Sequence, residues 1–555
     1  EIILEKIPPL IQQAKIMSQK YDVVCTNPPY MGRRGMNPKL VKYLDEKFND
    51  SKNDLFAVFM ELDDIYLKNN GFMGMINQHS WMFLPSFKDL REKFGSGHIV
   101  YSMTHLGAHA FEEIGGEVVQ VTSFVSRKVY IGNYKGYYIR LVDISNPENK
   151  RIKAIEAINN ASDSKIVFKT GPSKFFKVPG IPFAYWISEE IINAFTYYPK
   201  LGEVLHPKTG FTTGDNNIFL RLWHEINYNK RGQKWFPLNK GGGNKKWYGQ
   251  NDYFINWEND GESIKKFRGS TIRNEQFYFL EGVTWSKIST GNFAARYTPK
   301  GFLFDAVGLM CFSCEKGISH EYVTAYFCSK VADTFVKLLN PTMSYTVGTI
   351  ERLPLAVQKV ETVESVAKTN IKIAKMDWDS FETSWDFMKH PLLTHKNEAD
   401  KIEGAFNNWS DFAENQFNQL KANEEELNRI FIEIYGLQDE LTPDVDDKDV
   451  TITRIYDSKE EIPESMKGNN YVLTREDVIK SFISYAVGCM FGRYSLDEEG
   501  LIYAGGDFDD KFRLRDGQWE IKTKEGWKKS RVNIVEHNVI PIADGDYFED
   551  GILER

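Results

Sequence analysis

Residues 21–32, YDVVCTNPPYMG, constrain this chain more than any other stretch. Val23, Val24 and Cys25 read as part of a short buried strand, Asp22 to Thr26. Two successive prolines then end the ladder, because proline brings no backbone N–H to it. Gly32 permits the turn that follows. A strand tip carrying a carboxamide, two rigid residues and an aromatic ring suits the carboxyl edge of an open α/β sheet, where such sheets place their ligands. The chemistry that needs this set is methylation of an exocyclic amine whose lone pair is delocalised into its ring. Acceptors must hold that nitrogen in a more tetrahedral state. Asn27 offers a side-chain carbonyl, the Pro28 backbone carbonyl is fixed beside it, Pro29 stiffens the turn, and Tyr30 supplies a ring on which an extruded base stacks. The plain alternative is a strand ending in a proline-rich turn with Tyr30 in the core.

The pattern around the motif is α/β. Asn37-Pro38 reads as an N-cap and first helical residue. A second helix, about Asp54 to Lys68, carries Leu55, Val58, Phe59, Leu62, Ile65 and Tyr66 at helical spacing, with Gly71 as its stop. Strand Gly71–Ile76, helix Ser86–Phe94 and strand Ile99–Thr104 follow. Two β segments, Val118–Val129 and Tyr137–Val142, read as a terminal hairpin. Strands alternating with helices describe the second half of a doubly wound sheet. The chain starts at Glu1 and reaches its strand motif within 25 residues, so it reads as part of a longer protein.

At 555 residues several domains are expected. The boundaries fall at 1–150 for a partial catalytic domain, 151–200 for a connector and 201–355 for a β-rich region closed by a helix near Glu321–Leu339. A helical spacer, 356–440, and an acidic α/β region, 441–555, complete the chain. Five cysteines form no disulfide framework and suggest a reducing, cytoplasmic setting. No apolar run approaches the roughly 20 residues a membrane span needs, and no membrane partner is expected. The net charge of −8 hides a strong asymmetry. Residues 201–300 hold 15 Lys and Arg against 9 Asp and Glu, with 18 aromatic residues, while residues 401–555 hold 19 against 34. A basic, aromatic middle fits local anion binding.

YDVVCTNPPYMG, with GFMGMINQHSWMF and GGEVVQVTSFVSRK after it, resembles the second half of an amino-methylating DNA methyltransferase, in which Asn-Pro-Pro-Tyr is motif IV. The likeness extends through GFTTGDNNIFLRLW, KWFPLNKGGGNKKWYGQNDYFINWENDG, EGVTWSKIS, ARYTPKGFLFDAVG, LLNPTMSYTVGTIERLP and NEEELNRIFIEIYGLQDELTP. Over most of its length the chain is similar to the PglX-type adenine-specific DNA methyltransferases of bacteriophage-exclusion (BREX) defence systems. The resemblance implies a Rossmann-like sheet dependent on S-adenosylmethionine, followed by a β-rich target-recognition domain and a helical carboxyl-terminal region. It implies that Asn27, Pro28 and Tyr30 orient a flipped adenine, with Asn27 near the sulfonium. Asp54 and Phe56 would line the cofactor pocket, and Phe111 is either a second ring against the base or a packing residue. The family's glycine-rich cofactor loop and acidic ribose-binding residue precede motif IV and are not found in this sequence. The chain alone is therefore expected to bind S-adenosylmethionine poorly and to be inactive by itself.

Double-stranded DNA is the expected partner of residues 201–355. Phosphates call for Lys and Arg, and base edges for forked donors. The candidates are Asp215, Asn216 and Arg221 around one turn, Lys240, Asn244, Lys245 and Lys246 beside three glycines, and Ser286, Lys287, Ser289, Thr290 and Arg296. A basic surface of this kind would be open to acidic DNA-mimicking inhibitors, and other defence-system subunits are further expected partners. Cys311-x-x-Cys314 lacks a second pair, so no metal site is expected. Asp510 with Glu520-Ile521-Lys522 imitates a nuclease spacing of a kind frequent in acidic tails. Two rivals stand beside the enzyme: a noncatalytic DNA-recognition or assembly subunit, and a protein glutamine methyltransferase, a class that also uses Asn-Pro-Pro-Tyr but is much shorter.

Overall fold

A computed structural model describes residues 2–110, 119–161, 164–289, 291–313, 317–340, 344–504, 507–523 and 525–535. The chain divides into two compact units, residues 1–199 with 337–341, and residues 200–336 with 342–555.

The first unit is built on a six-stranded mixed sheet in the order β1-β2-β4-β3-β5-β6. Its strands are β1 (Tyr21–Thr26), β2 (Leu67–Gln78), β3 (Ile99–Gly107), β4 (Val121–Arg127), β5 (Gly136–Arg140) and β6 (Val167–Thr170). β1 runs parallel to β2 and forms an edge, which corrects the expected buried strand: Val23 is 61% exposed and Cys25 is exposed, because only one side of β1 has a pairing partner among the described residues. The amino-terminal helix α1 (Ile2–Ser18) precedes it. Helix α2 (Pro38–Lys47) begins as its sequence demands, the Asn37 side chain accepting the Leu40 N–H at 2.9 Å and Pro38 filling the first helical position. Helix α3 (Leu55–Tyr66) is capped by Asp54, and α4 (Lys88–Gly97) follows β2. Phe56, Met60, Met73, Trp81, Phe94, Met103 and Phe124 pack together as the core. Arg91 of α4 is fully buried, its guanidinium donating to the carbonyls of Trp81, Leu84, Gly180 and Ile181.

Further local expectations are corrected. Gly71 is not the stop of α3. The Leu67 N–H bonds back to the Asp63 carbonyl to close the helix, and Leu67 already pairs with Tyr21 as strand, so Gly71 lies inside the irregular stretch of β2. The expected terminal hairpin does not form either. β4 lies antiparallel between β2 and β3, burying Thr122, Phe124 and Ser126 on one face while Val125 on the other is exposed, and β5 runs parallel to β3 beyond it. Helix α5 (Pro147–Asn159) and β6 occupy the stretch read as a connector, β6 pairing antiparallel with β5, and α6 (Glu189–Tyr197) follows.

The second unit contains two four-stranded sheets, β13-β9-β10-β8 and β12-β11-β14-β7. These are β7 (Leu205–Lys208), β8 (Leu220–Leu222), β9 (Trp235–Asn239), β10 (Tyr253–Asn256), β11 (Gly282–Ser286), β12 (Ala295–Thr298), β13 (Leu303–Phe304) and β14 (Gly308–Ser313). Every residue of β11 is buried. The single helix expected near 321–339 is two, α7 (His320–Cys328) and α8 (Lys330–Leu339), because the Ser329 hydroxyl caps the second by accepting the Ala332 N–H. Helices α9 (Val360–Asp379) and α10 (Ile402–Tyr435) supply the helical region, and α10 ends at Gly436 with φ of 70°. Leu427, Ile430 and Phe431 are buried along α10, as its apolar stripe requires. Helix α11 (Arg475–Met490) opens with a Thr474–Asp477 capping box. No helix among the described residues is long and apolar enough to cross a membrane.

Candidate active site and nucleic-acid interface

Asn27 follows directly on the carboxyl end of β1, and its neighbours are fixed by the start of α3. Asp54 Oδ1 accepts the Met31 N–H at 3.0 Å and the Phe56 N–H at 3.4 Å while capping the helix. The Leu55 N–H donates to the Met31 carbonyl and the Arg33 N–H to the Asn53 carbonyl, so the Asn-Pro-Pro-Tyr turn is bound to α3 on its downstream side. Burial outweighs these donors and raises the Asp54 pKa above the usual carboxylate range. Pro28 is buried and Asn27 exposed. Neither the exposed Asn27 carboxamide nor the Pro28 carbonyl has a hydrogen-bond partner among the described residues. Tyr30 is half-buried, edge-on to Phe56 with ring centroids 6.3 Å apart, and its hydroxyl is buried without a partner. Phe56 is fully buried, with the Phe87 ring tilted against it at 5.7 Å between centroids. That is a correction: Phe56 supports the Tyr30 ring from behind and presents no surface to a cofactor. Phe111 lies outside the described residues.

The same sheet edge carries a hydrogen-bonded chain that sequence reasoning missed. His79, just past β2, and His105, near the end of β3, meet ring to ring at 2.8 Å from Nδ1 to Nε2, and His105 Nδ1 lies 3.1 Å from the Tyr185 hydroxyl. Burial lowers the His79 pKa to about 4, and burial, with the His79 ring and the Arg140 and Lys150 charges, holds the His105 pKa well below the usual histidine value, so both rings are neutral near pH 7. Nothing local in the sequence signals a pairing across 26 residues.

The residues expected at the DNA interface separate into two groups. Lys245, Lys246, Arg296 and Ser286 are buried, at 2%, 6%, 2% and 4% exposed, and offer no surface to a phosphate. Lys245 donates to the Thr451 carbonyl at 2.6 Å and pairs with Asp377 at 3.2 Å, its ammonium over the Tyr471 ring. Lys246 pairs with Glu424 at 2.6 Å, and the other oxygen of that carboxylate accepts the Trp247 indole N–H at 2.7 Å. Burial pushes the Arg296 pKa down to about 10. Loop 241–249 is thus a fastening between the β-rich region and α9 and α10. The other residues are more open. Asp215 caps the turn Asn216–Phe219, Asn216 accepts from Thr213, and Arg221 donates to the carbonyls of Asn217 and Leu220. Lys240 pairs with Asp305. Lys287 is half-buried, and Ser289 accepts the Gly291 N–H. The Asn244 backbone carbonyl accepts the Tyr471 hydroxyl, while its side-chain oxygen is buried without a partner. Thr290 lies outside the described residues.

Residues 5–111, which include the motif and its supports, match the family described as Eco57I restriction-modification methylase. An adenine-specific methyltransferase PglX from Lacticaseibacillus casei (strain Zhang) is 43% identical over 98% of this chain and 44% of its own length. An adenine-specific methyltransferase BrxX from Escherichia coli O9:H4 (strain HS) is 38% identical over 99% of this chain, again 44% of its own length. The chain is a homologue of the PglX and BrxX adenine-specific methyltransferases. It spans a little under half the length of these relatives. Among solved structures, the type IIL restriction-modification enzyme MmeI in complex with DNA aligns over 76% of this chain and 55% of its own, at 10% identity and a TM-score of 0.42.

Cys311 is buried in β14, and Cys314 lies outside the described residues. Glu520 is held by Arg513 at 2.6 Å across a β-ladder, and Asp510 is exposed. Among the described residues no cluster of His, Cys, Asp and Glu could hold a metal ion.

Proposed function

We propose that this chain forms the motif IV half of the catalytic sheet and the DNA-recognition region of a site-specific adenine-N6 DNA methyltransferase acting in BREX-type phage defence. The observation that carries the reading is the unpartnered pair of acceptors, Asn27 and Pro28, at the end of a strand in a sheet homologous to adenine-specific methyltransferases, with the Tyr30 ring beside them.

In this mechanism adenine leaves the duplex and stacks on Tyr30, whose position the edge of Phe56 fixes. The N6 amine donates to the Asn27 carboxamide and the Pro28 carbonyl. Two acceptors draw the nitrogen away from planarity, which returns its lone pair from the ring to the attacking orbital. Asp54, by holding the Met31 amide, keeps the acceptors in register. S-adenosylmethionine supplies an electrophilic methyl group. Of the residues expected at its pocket, exposed Asn27 fits a place beside it and buried Phe56 does not. No covalent enzyme intermediate is required. Double-stranded DNA is the proposed partner of the second unit, with other defence-system subunits and acidic DNA mimics as further proposed partners. The test is methylation of DNA by the complete protein with and without Asn27→Ala. Loss of N6-methyladenine in the variant is expected, and unchanged methylation would overturn the assignment.

A further inference from the structure

Within the basic stretch 201–300 the structure assigns base reading to two arginines the sequence did not single out, Arg268 and Arg273. This rests on the DNA-binding reading above. The five arginines of the stretch differ sharply in what they are free to do. Arg296 is buried, Arg221 is spent on the carbonyls of Asn217 and Leu220, and Arg231 packs its guanidinium over Phe254 and Trp385. Arg268 and Arg273 are exposed, and neither side chain has a hydrogen-bond or ion-pair partner among the described residues. The nearby carboxylates are already neutralised, Asp260 and Glu275 by Lys265, and Glu262 by Lys266.

The two arginines flank a turn held rigidly from both sides. Thr271 and Thr212 exchange backbone hydrogen bonds at 2.9 and 3.0 Å, joining the turn to loop 212–217. A Cβ on Gly214 would lie 2.9 Å from the backbone of Gly269, so the loops meet too closely there for a side chain on Gly214, and both glycines adopt positive φ, 78° and 97°. Ser270 donates to the Ile264 carbonyl, Asn274 to the Thr209 carbonyl at 2.9 Å, and the Tyr278 hydroxyl to the Arg273 carbonyl at 2.9 Å. The result is a fixed ledge bearing two unsatisfied forked donors, with the exposed carboxamide of Asn217 on the apposed loop, where the Asn216 oxygen is already taken by Thr213. A planar fork reads guanine O6 and N7 bidentately, and a carboxamide does the same for adenine. Lysine keeps the charge and loses the fork.

The test maps N6-methyladenine in cells carrying the complete gene, as unmodified protein and as Arg268→Lys, Arg273→Lys and the corresponding alanine variants, with expression measured. We expect each lysine variant to keep methylating while a guanine position of the motif relaxes, discrimination there falling by roughly 5- to 150-fold. A motif unchanged in both lysine variants while the alanine variants lose methylation would make these residues phosphate contacts and overturn the inference. An unchanged motif in all four would overturn it as well. No methylation by the unmodified protein would remove the parent reading and this one together.

Discussion

Replacing Glu424 by glutamine tests whether the cluster KGGGNKK is structural. Lys246 and Glu424 are both almost fully buried, 2.6 Å apart, and joined by the Trp247 indole. Glutamine keeps an acceptor for Trp247 but leaves a buried ammonium with no counter-charge, and breaking such a pair costs about 3 to 5 kcal/mol. Hydrogen exchange of α10 amides around position 424 would report this as a loss of protection of roughly 150- to 5000-fold. The double variant Lys246→Met with Glu424→Gln removes the stranded charge and keeps the indole bond, so it should return to within about 1 to 2 kcal/mol of the unmodified protein. It should also bind duplex DNA with unchanged affinity and salt dependence, because Lys246 reaches no phosphate. A loss below about 1 kcal/mol in the single variant, no recovery in the double, or a shallower salt slope would refute the reasoning.

Other consequences follow from the first unit. Tyr30→Phe removes a buried hydroxyl that has no partner, so stability should be unchanged or slightly higher and methylation by the complete protein retained, whereas Tyr30→Ala should abolish most turnover; thermal unfolding and steady-state kinetics check both. Asp63 on α3 is buried with one carboxylate oxygen unpartnered, and burial pushes its pKa up to about 7. The folded state therefore holds its proton more tightly than the unfolded chain, and stability should fall by a few kcal/mol as pH rises from about 4 to about 7; Asp63→Asn should flatten that part of a urea-midpoint-against-pH curve. Arg91→Met strands carbonyls at Trp81, Leu84, Gly180 and Ile181 and should destabilise the first unit by more than about 3 kcal/mol, read as a lowered unfolding midpoint.

The motif and its immediate scaffold were legible because their determinants are local. β1 stops where proline removes donors, Asn37 caps α2 three residues away, and Asp54 caps α3 at its own start. What failed depended on distant residues. Gly71 has the composition of a helix stop, but Leu67 had already been captured by Tyr21. β4 looked like half of a hairpin with β5 and instead lies between β2 and β3, a pairing no local pattern encodes. Lys245 and Lys246 have the composition of a phosphate site, but their partners Asp377 and Glu424 lie 132 and 178 residues further on. Phe56 was placed in a pocket by its position in the motif series, whereas α3 turns it inward. The histidine chain was invisible for the same reason, since only the sheet brings His79 to His105.

The central claim is that Asn27 presents an acceptor to the amine of a flipped adenine, and genome-wide mapping of N6-methyladenine tests it most directly. Cells carrying the complete gene should show a recurrent methylated motif, and cells carrying Asn27→Ala, with the protein expressed at the same level, should show none. The same motif at undiminished occupancy in the variant would contradict the account.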